Sequence, residues 1–175
     1  MLFRSDEIEE FILSFIRERV AQRIATITKR HDIIEAVVNS NTSSVPEQLK
    51  AAKVLSAVSE SEEFKGITEA LNRVINISAK AQDDASGEIS EDRLETESER
   101  NLVKAIQELN AKVGSLTPEE LYSHLEAMAP KINDFFNENM VMVDDEATRR
   151  NRLRFLGLLS EIILDLADFT SLIVK

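Results

Sequence analysis

The stretch "DDEATRRNRLRFLGLLSEIILDLADFTSL", residues 144–172, decides the fold class of this chain. Large apolar residues recur in it at spacings of three and four, at Leu153, Leu156, Leu159, Ile163 and Leu166. That repeat is typical of an α-helix that buries one face. Asp144 or Asp145 can accept hydrogen bonds from the first turn. We therefore predict a long buried helix that begins there and ends near residue 172.

The same apolar spacing continues towards the N-terminus. It predicts helices over about residues 5–22, 32–39, 46–60, 62–81, 91–113 and from 118 onward. Only four glycines and three prolines interrupt the chain, and helix-forming residues dominate the rest. Helices joined by short links pack as antiparallel neighbours. The expected fold is an all-α antiparallel bundle of about seven helices.

Short polar motifs predict several helix ends. Ser44 with Glu47, and Thr117 with Glu120, have the spacing of capping boxes, each with a proline in the first turn. Asp32 is a candidate N-cap and Gly114 a candidate C-terminal cap. Pro130 is expected to divide the helix that begins after Thr117 into two pieces.

Length and composition limit the possible classes. A chain of 175 residues buries roughly 70% of its unfolded surface, which predicts one domain over residues 1–175. Residues 81–90, "AQDDASGEIS", have no apolar period and are expected to form an exposed, mobile loop. The absence of cysteine excludes disulfides and thiolate metal sites, and favours the cytoplasm. Asp165 and Asp168 interrupt the C-terminal apolar run well before the roughly 20 residues of a membrane span.

The net charge of -11 argues against unspecific binding of nucleic acid, because phosphates are bound by lysine and arginine. The acidity is local, however. Residues 83–99 contain eight acids against Arg93, a net of -7, which leaves -4 for the rest of the chain. A positive surface elsewhere on the molecule is therefore compatible with the total.

Residues 135–175 resemble the C-terminus of the β subunit of bacterial heterotetrameric glycyl-tRNA synthetases. The shared pattern is a double phenylalanine, a run of valine and methionine, an acidic patch, an arginine, "NRL", and "AD" in the last segment. The matching positions are Phe135, Phe136, Met140, Val141, Met142, Asp145, Glu146, Arg149, Asn151, Arg152, Leu153, Ala167 and Asp168. Weaker similarity extends to "HDIIEAVV" and "LNRVINISAK", where Ser78 stands in place of the usual leucine.

The resemblance implies an all-helical anticodon-binding domain of the DALR type, forming the C-terminal part of a longer subunit. It implies glycine tRNA as the RNA partner, and the α subunit and the rest of the β subunit as protein partners. ATP and Mg²⁺ would be used by the α subunit, so no cofactor and no catalytic residue are expected in this chain. The alternative is a structural bundle whose arginine surface docks other subunits or domains without touching RNA.

Two positive regions are the candidate RNA contacts, because guanidinium groups bind phosphates and base edges. The first comprises Arg149, Arg150, Arg152 and Arg154; the second comprises Arg17, Arg19, Arg23, Lys29 and Arg30. Salt bridges with neighbouring acids are the alternative for both. The two regions would join into one surface if the first helix packed beside the last. We expect Met140, Leu153 and Leu156 to be core residues.

Aromatic rings and metal ligands complete the set of candidates. Phe64, Phe135 and Phe136 lie near predicted helix ends, where a ring can stack on an RNA base, although core packing is the favoured alternative for all three. Phe11, Phe15, Phe155 and Phe169 are expected in the core. His31 with Asp32 resembles the dyad of HD phosphohydrolases. No histidine precedes His31 to complete that site, so no metal site is predicted.

Overall fold

A computed structural model describes residues 5–80 and 87–174, with side chains from residue 8 onward in the first range. These residues form seven α-helices and no strand, which confirms the predicted all-α class. The helices are α1 (Ser5–Ile24), α2 (His31–Val38), α3 (Val45–Val58), α4 (Glu63–Ala79), α5 (Glu97–Asn110), α6 (Pro118–Glu138) and α7 (Glu146–Leu166). Single 3₁₀ turns lie at Glu91–Arg93, Val113–Ser115 and Phe169–Ser171.

Helix α7 lies at the centre of the packing. It contacts α4 most extensively and also packs against α5 and α6, while α6 packs against α3, α4 and α5. Leu153, Leu156, Leu159 and Ile163 on α7 are fully buried, as their spacing predicts. Phe155 and Phe169 are buried as well. The four helices α4 to α7 therefore form the main body of the bundle.

The long last helix ends earlier than its apolar pattern predicts. It stops at Leu166, where the backbone N–H of Asp168 donates to the carbonyl of Ala36 at 2.8 Å. The Asp168 carboxylate then accepts from the N–H of Thr170 at 3.0 Å and opens a 3₁₀ turn. A tertiary hydrogen bond to α2 thus replaces the next helical one.

Pro130 does not divide α6, which continues from Pro118 to Glu138. This corrects the prediction of two pieces. Proline at this position removes a hydrogen bond to the carbonyl of Glu126. Glu126, Ala127 and Pro130 are all exposed, so water can satisfy that carbonyl.

Most predicted helix starts are right in position, but their capping hydrogen bonds are not always the predicted ones. Thr117 and Glu120 form the complete capping box, with Thr117 N–H donating to Glu120 at 2.8 Å. Ser44 is the N-cap of α3 but makes no side-chain cap bond, and Glu47 pairs with Lys50 instead. The start of α5 was missed: Thr96 and Glu99 form a second capping box, so this helix begins at Glu97 rather than near 91.

Two other predicted caps are wrong. The N-cap of α2 is Arg30 rather than Asp32, whose carboxylate is used by Arg30 and by the backbone of Ile173. Helix α5 is capped at Ala111, and Gly114 lies inside the following 3₁₀ turn.

The capping bonds make a testable difference between α6 and α3. We expect Thr117→Ala to lower the free energy of unfolding by about 1 kcal/mol, because the N–H of Glu120 loses its acceptor. Ser44→Ala is the matched control and should cost clearly less, since the Ser44 hydroxyl caps nothing. Chemical denaturation of both variants measures the difference. Equal losses would contradict the assignment.

Helix α1 forms as predicted, but its apolar stripe is not buried. Only its last turns pack, with Val20 and Ile24 buried against α2 and α3. Phe11 is 72% exposed and Phe15 51%, which corrects their assignment to the core. The physical reason is that no described element covers residues 8–19. None of the helices in the described ranges is long and apolar enough to cross a bilayer.

Most of the predicted mobile loop, residues 81–86, lies outside the described residues. The C-terminal end of this loop, at Ser90, is hydrogen-bonded to α7. The N–H of Ser90 donates to the Asn151 side chain at 2.7 Å, and Asn151 Nδ2 donates to the Ser90 carbonyl at 2.9 Å. The acidic segment therefore meets the bundle beside the arginines of α7.

Candidate functional site

The arginines of α7 begin directly after a well-formed helix start. Asp145 is the N-cap, and its carboxylate accepts from the N–H of Thr148 at 2.7 Å. Hydrogen bonds from Thr148 hold the pKa of Asp145 below its usual value, and the positive charges of Arg93 and Arg149 lower it further. This cap fixes the residue at which α7 begins, and the four arginines lie in the first turns of that helix.

Arg152 points into the bundle and is only 4% exposed. Its Nε donates to Glu99 Oε1 at 2.6 Å, and its Nη2 donates to Glu95 Oε2 at 2.8 Å. Its Nη1 donates to the carbonyl of Met140 at 2.7 Å. This corrects its candidacy as an RNA contact, because all three donor nitrogens are used inside the protein.

Glu99, whose carboxylate pairs with Arg152, is fully buried. Its other carboxylate oxygen accepts from the backbone N–H groups of Glu95 and Thr96, at 2.7 and 3.0 Å. Burial alone raises the pKa of Glu99, but the bonds from Arg152 and these N–H groups outweigh burial and lower it. The pair joins the start of α5 to the middle of α7.

The other three arginines of the cluster lie at the surface in different settings. Arg149 is half-buried and donates to the carbonyl of Val143 at 3.1 Å. Arg150 is exposed and pairs with Glu146 at 2.5 Å. Arg154 donates to the carbonyl of Glu88 at 3.4 Å, beside Gly87. The structure does not gather the four side chains into one surface.

The residues of the second positive region also lie in different surroundings. Arg17, Arg19 and Arg23 are exposed on α1, and the guanidinium of Arg19 lies 5.1 Å from the ring centre of Phe15. Lys29 is exposed and donates to the carbonyl of Ala25 at 3.2 Å.

Arg30, in contrast, forms contacts that connect parts of the fold. It forms an ion pair with Asp32 at 2.5 Å and donates to the carbonyl of Ile173 at 2.9 Å. Its hydrogen bonds tie the start of α2 to the last described residues. This corrects its candidacy as a surface cation available for phosphate.

The two positive regions do not join in the expected way. Helix α1 packs against α2 and α3, whereas α7 packs against α4, α5 and α6. The first helix is thus not a main packing partner of the last.

The three candidate stacking rings are buried, so of the two predicted alternatives the structure supports core packing. Phe135 is fully buried, Phe64 is 2% exposed and Phe136 is 7% exposed. Phe135 makes edge-to-face contacts with Phe136 and Phe155, with ring centres 5.1 and 5.3 Å apart. Proximity to a helix end did not indicate exposure, because other helices cover the rings: Phe155 of α7 packs on Phe135, and the Arg73 guanidinium of α4 lies 4.2 Å from the ring centre of Phe136.

The Asp32 carboxylate is likewise used in contacts within the fold. Burial alone raises its pKa, but the Arg30 guanidinium and the N–H of Ile173 outweigh burial and hold it below its usual value. His31 beside it is exposed. Among the described residues, no group of three His, Cys, Asp or Glu side chains could hold a metal ion.

Sequence reasoning missed the most exposed apolar residues near the arginines. Met140 is 74% exposed and Met142 is 63% exposed, in the link between α6 and α7. This corrects the assignment of Met140 to the core. Val141, between the two methionines, is buried, so successive side chains of this link face opposite ways.

Comparisons with known proteins agree with the fold. The family described as DALR anticodon binding domain matches residues 67–168. A glycine–tRNA ligase beta subunit from Lactobacillus acidophilus is 34% identical over 169 residues, 97% of this chain and 24% of that protein. One from Streptococcus pyogenes serotype M18 is 38% identical over 164 residues, 94% of this chain and 23% of that protein. The chain spans about a quarter of the length of the curated relatives that it matches.

Proposed function

This chain belongs to the DALR anticodon-binding domain family, and from that premise we propose that it recognises the anticodon arm of glycine tRNA. The observation that carries the proposal is the family match over residues 67–168, which includes most of α4 and all of α5 to α7. Its long similarity to glycine–tRNA ligase beta subunits supports the choice of glycine tRNA.

In this proposal the chain contributes recognition and not bond-making chemistry. Activation of glycine with ATP and Mg²⁺ belongs to the alpha subunit of a glycine–tRNA ligase. That subunit and the remaining three quarters of a beta-subunit-type chain are the proposed protein partners. The cytoplasm, where tRNA is charged, is the proposed location.

The charge distribution favours a small contact area. The net charge is -11, of which -7 lies in residues 83–99, so repulsion of phosphates is strongest around that segment. The exposed cations of the two candidate regions are Arg17, Arg19, Arg23, Lys29 and Arg150, and Arg149 is half-buried at the start of α7. Binding should therefore involve few phosphates and weaken steadily with salt.

A titration of the chain with glycine tRNA tests the proposal. We expect the logarithm of the affinity to fall linearly with the logarithm of salt, with a slope of about -2 to -3 for three or four phosphate contacts. Glycine anticodons end in two cytosines. Replacing both cytosines should weaken binding by about thirtyfold or more, since each lost base contact costs about 1 to 3 kcal/mol and two contacts are lost.

The control RNA is the same tRNA with an altered acceptor end, which should bind as well as the parent. An affinity that ignores the anticodon would remove the proposed specificity. The absence of any binding at low salt would remove the proposed function.

The exposed stripe of α1 favours a second candidate function, docking within a larger assembly. Six apolar side chains on this helix are 46 to 72% exposed: Ile8, Phe11, Ile12, Leu13, Phe15 and Ile16. Helical faces of this kind usually mark contact with another protein surface. The proposed occupant is the remaining part of a beta-subunit-type chain. This candidate predicts that the chain associates with that part, that Phe11→Glu abolishes the association, and that tRNA binding by the isolated chain is absent.

A further inference from the structure

The outer face of α4 carries a cation that a buried ring holds in place. Arg73 is exposed, and its guanidinium carbon lies 4.2 Å from the ring centre of Phe136 on α6. A cation this close to an aromatic face is attracted by the ring. Phe136 is only 7% exposed and makes an edge-to-face contact with Phe135. The core thus fixes the ring, and the ring fixes the position of a guanidinium at the surface.

The charge around Arg73 is positive, although the chain as a whole is acidic. From residue 70 to residue 80 the sequence contains two cations, Arg73 and Lys80, and no acid. Both side chains are exposed. Glu69, one turn before Arg73, is the closest acid along the chain, and Arg73 forms no ion pair with an acid of the described residues. This part of α4 therefore offers positive charge to an anionic partner.

The acids of α6 that are closest to Phe136 in the sequence are Asp134 and Glu138. Both line a groove together with Glu97 of α5. They therefore lie on the side of α6 that faces α5, and not beside Arg73.

Exposed amides are the neighbours of the cation instead. Asn76 is three residues after Arg73 on α4, and Asn133 is three residues before Phe136 on α6. Residues three apart on a helix have their Cβ atoms about 5 to 6 Å apart. Neither amide is hydrogen-bonded to a residue of the described ranges, so each presents its donors and its acceptor to solvent.

This arrangement suits an unpaired RNA base. Such bases are recognised by stacking on aromatic rings or on the guanidinium plane of arginine, together with hydrogen bonds to the base edge. Phe136 occupies one side of the Arg73 guanidinium, which leaves the solvent side for a second flat group. The pairing edge of cytosine has an amino donor beside acceptors, which matches the mixed donors and acceptor of an amide. Lys80 supplies a charge for a neighbouring phosphate.

We propose that Arg73 stacks on one unpaired base of the anticodon loop, with Phe136 as its support and with Asn76 and Asn133 beside the base edge. The proposal rests on the proposed function, since it specifies which side chain of this chain meets the tRNA loop. It assigns the stacking role to the guanidinium that covers Phe136 and not to the buried ring itself.

The main test is Arg73→Lys in a titration with glycine tRNA. Lysine keeps the positive charge but has no planar group, so we expect about tenfold weaker binding with an unchanged salt slope. Arg100→Lys is the matched control, because Arg100 is an exposed arginine on α5, and it should bind like the parent. Thermal unfolding checks that both variants remain folded.

A second pair of variants tests the supporting role of the ring. Phe136→Leu removes the aromatic face below Arg73 but keeps an apolar side chain, and we expect about threefold weaker binding. Phe135→Leu changes the adjacent ring and should bind like the parent. A purely structural role of Phe136 predicts lower thermal stability for both variants and an unchanged tRNA affinity for both.

The outcomes separate this inference from the function on which it rests. If the parent binds tRNA and Arg73→Lys binds equally well, the stacking contact is overturned and the proposed function stands, even if Arg73→Ala binds more weakly, since the residue then contributes only charge. If Arg73→Lys loses association with a protein partner while tRNA binding is unchanged, this face docks protein and the stacking contact is also overturned. If the parent does not bind glycine tRNA, the proposed function fails and this inference fails with it.

Discussion

Arg152→Ala is expected to lower the free energy of unfolding by about 3 to 5 kcal/mol, because it leaves the carboxylate of Glu99 buried without its cation. Glu99 is fully buried and Arg152 is 4% exposed. The loss also removes the donor to the Met140 carbonyl. Urea denaturation followed by circular dichroism measures the change.

The matched control is Arg150→Ala, two residues earlier on α7. Arg150 pairs with Glu146, but both side chains are largely exposed, at 47% and 60%. Exposed pairs contribute about 0 to 1 kcal/mol. If the two alanine variants were equally stable, the buried pair would not hold α5 and α7 together.

A double variant separates the pair from its individual charges. Arg152→Met with Glu99→Gln removes both charges while the glutamine oxygen can still accept from the backbone N–H of Thr96. Replacing a buried ion pair by groups without charge is often close to neutral. We expect the double variant to be more stable than Arg152→Ala. A still larger loss would contradict the explanation based on an unpaired charge.

The Arg152→Ala deficit should also depend on pH. In the parent, the folded-state pKa of Glu99 lies below its usual value, so this stabilisation is complete above about pH 4.3 and is lost as pH falls through the folded pKa. Without the guanidinium, burial raises the pKa of Glu99, and protonation then relieves the variant. The difference in unfolding free energy between parent and variant should therefore be smaller at pH 4 than at pH 7.

Phe135→Ala is expected to cost about 3 to 5 kcal/mol, as large aromatic truncations in a packed core do. Phe135 is fully buried, and its ring contacts Phe136 and Phe155 edge to face. The cavity cannot be filled without moving α6 relative to α7. Thermal and chemical denaturation give the change.

Phe11→Ala is the control, because Phe11 is 72% exposed on α1. It should change stability by no more than about 0.5 kcal/mol. A Phe135→Ala protein with the same unfolding free energy as the parent would contradict the core position. Phe135→Leu keeps most of the volume, and its tRNA affinity should equal that of the parent if this ring packs and does not stack on RNA.

Helix positions could be predicted because they depend on local pattern. Leu153 and Leu156 are buried where the three-and-four spacing places them, and the Thr117 capping box forms between residues three apart in the chain. Thr96 and Glu99 have the same local spacing, so that capping box was also readable. These features need no knowledge of distant contacts.

The role of each charged or apolar side chain could not be predicted in this way. Arg150 and Arg152 are two residues apart, yet one is exposed and the other is buried against Glu95 and Glu99, more than fifty positions away. Phe11 and Phe135 are both aromatic residues in helices, but only Phe135 meets other helices. Exposure depends on which elements pack together.

The sequence by itself determined that this chain is a helical bundle, where most of its helices begin, and which family it resembles. The bundle and the helix starts follow from periodicity and from capping motifs within a few residues, and the family from the resemblance of its C-terminal motif. Only the tertiary structure decided that Arg152 supports the link before α7 and that Met140 and Met142 face solvent. The physical reason is that burial and ion pairing are properties of surfaces brought together by folding, so residues far apart in the chain assign the role of each side chain.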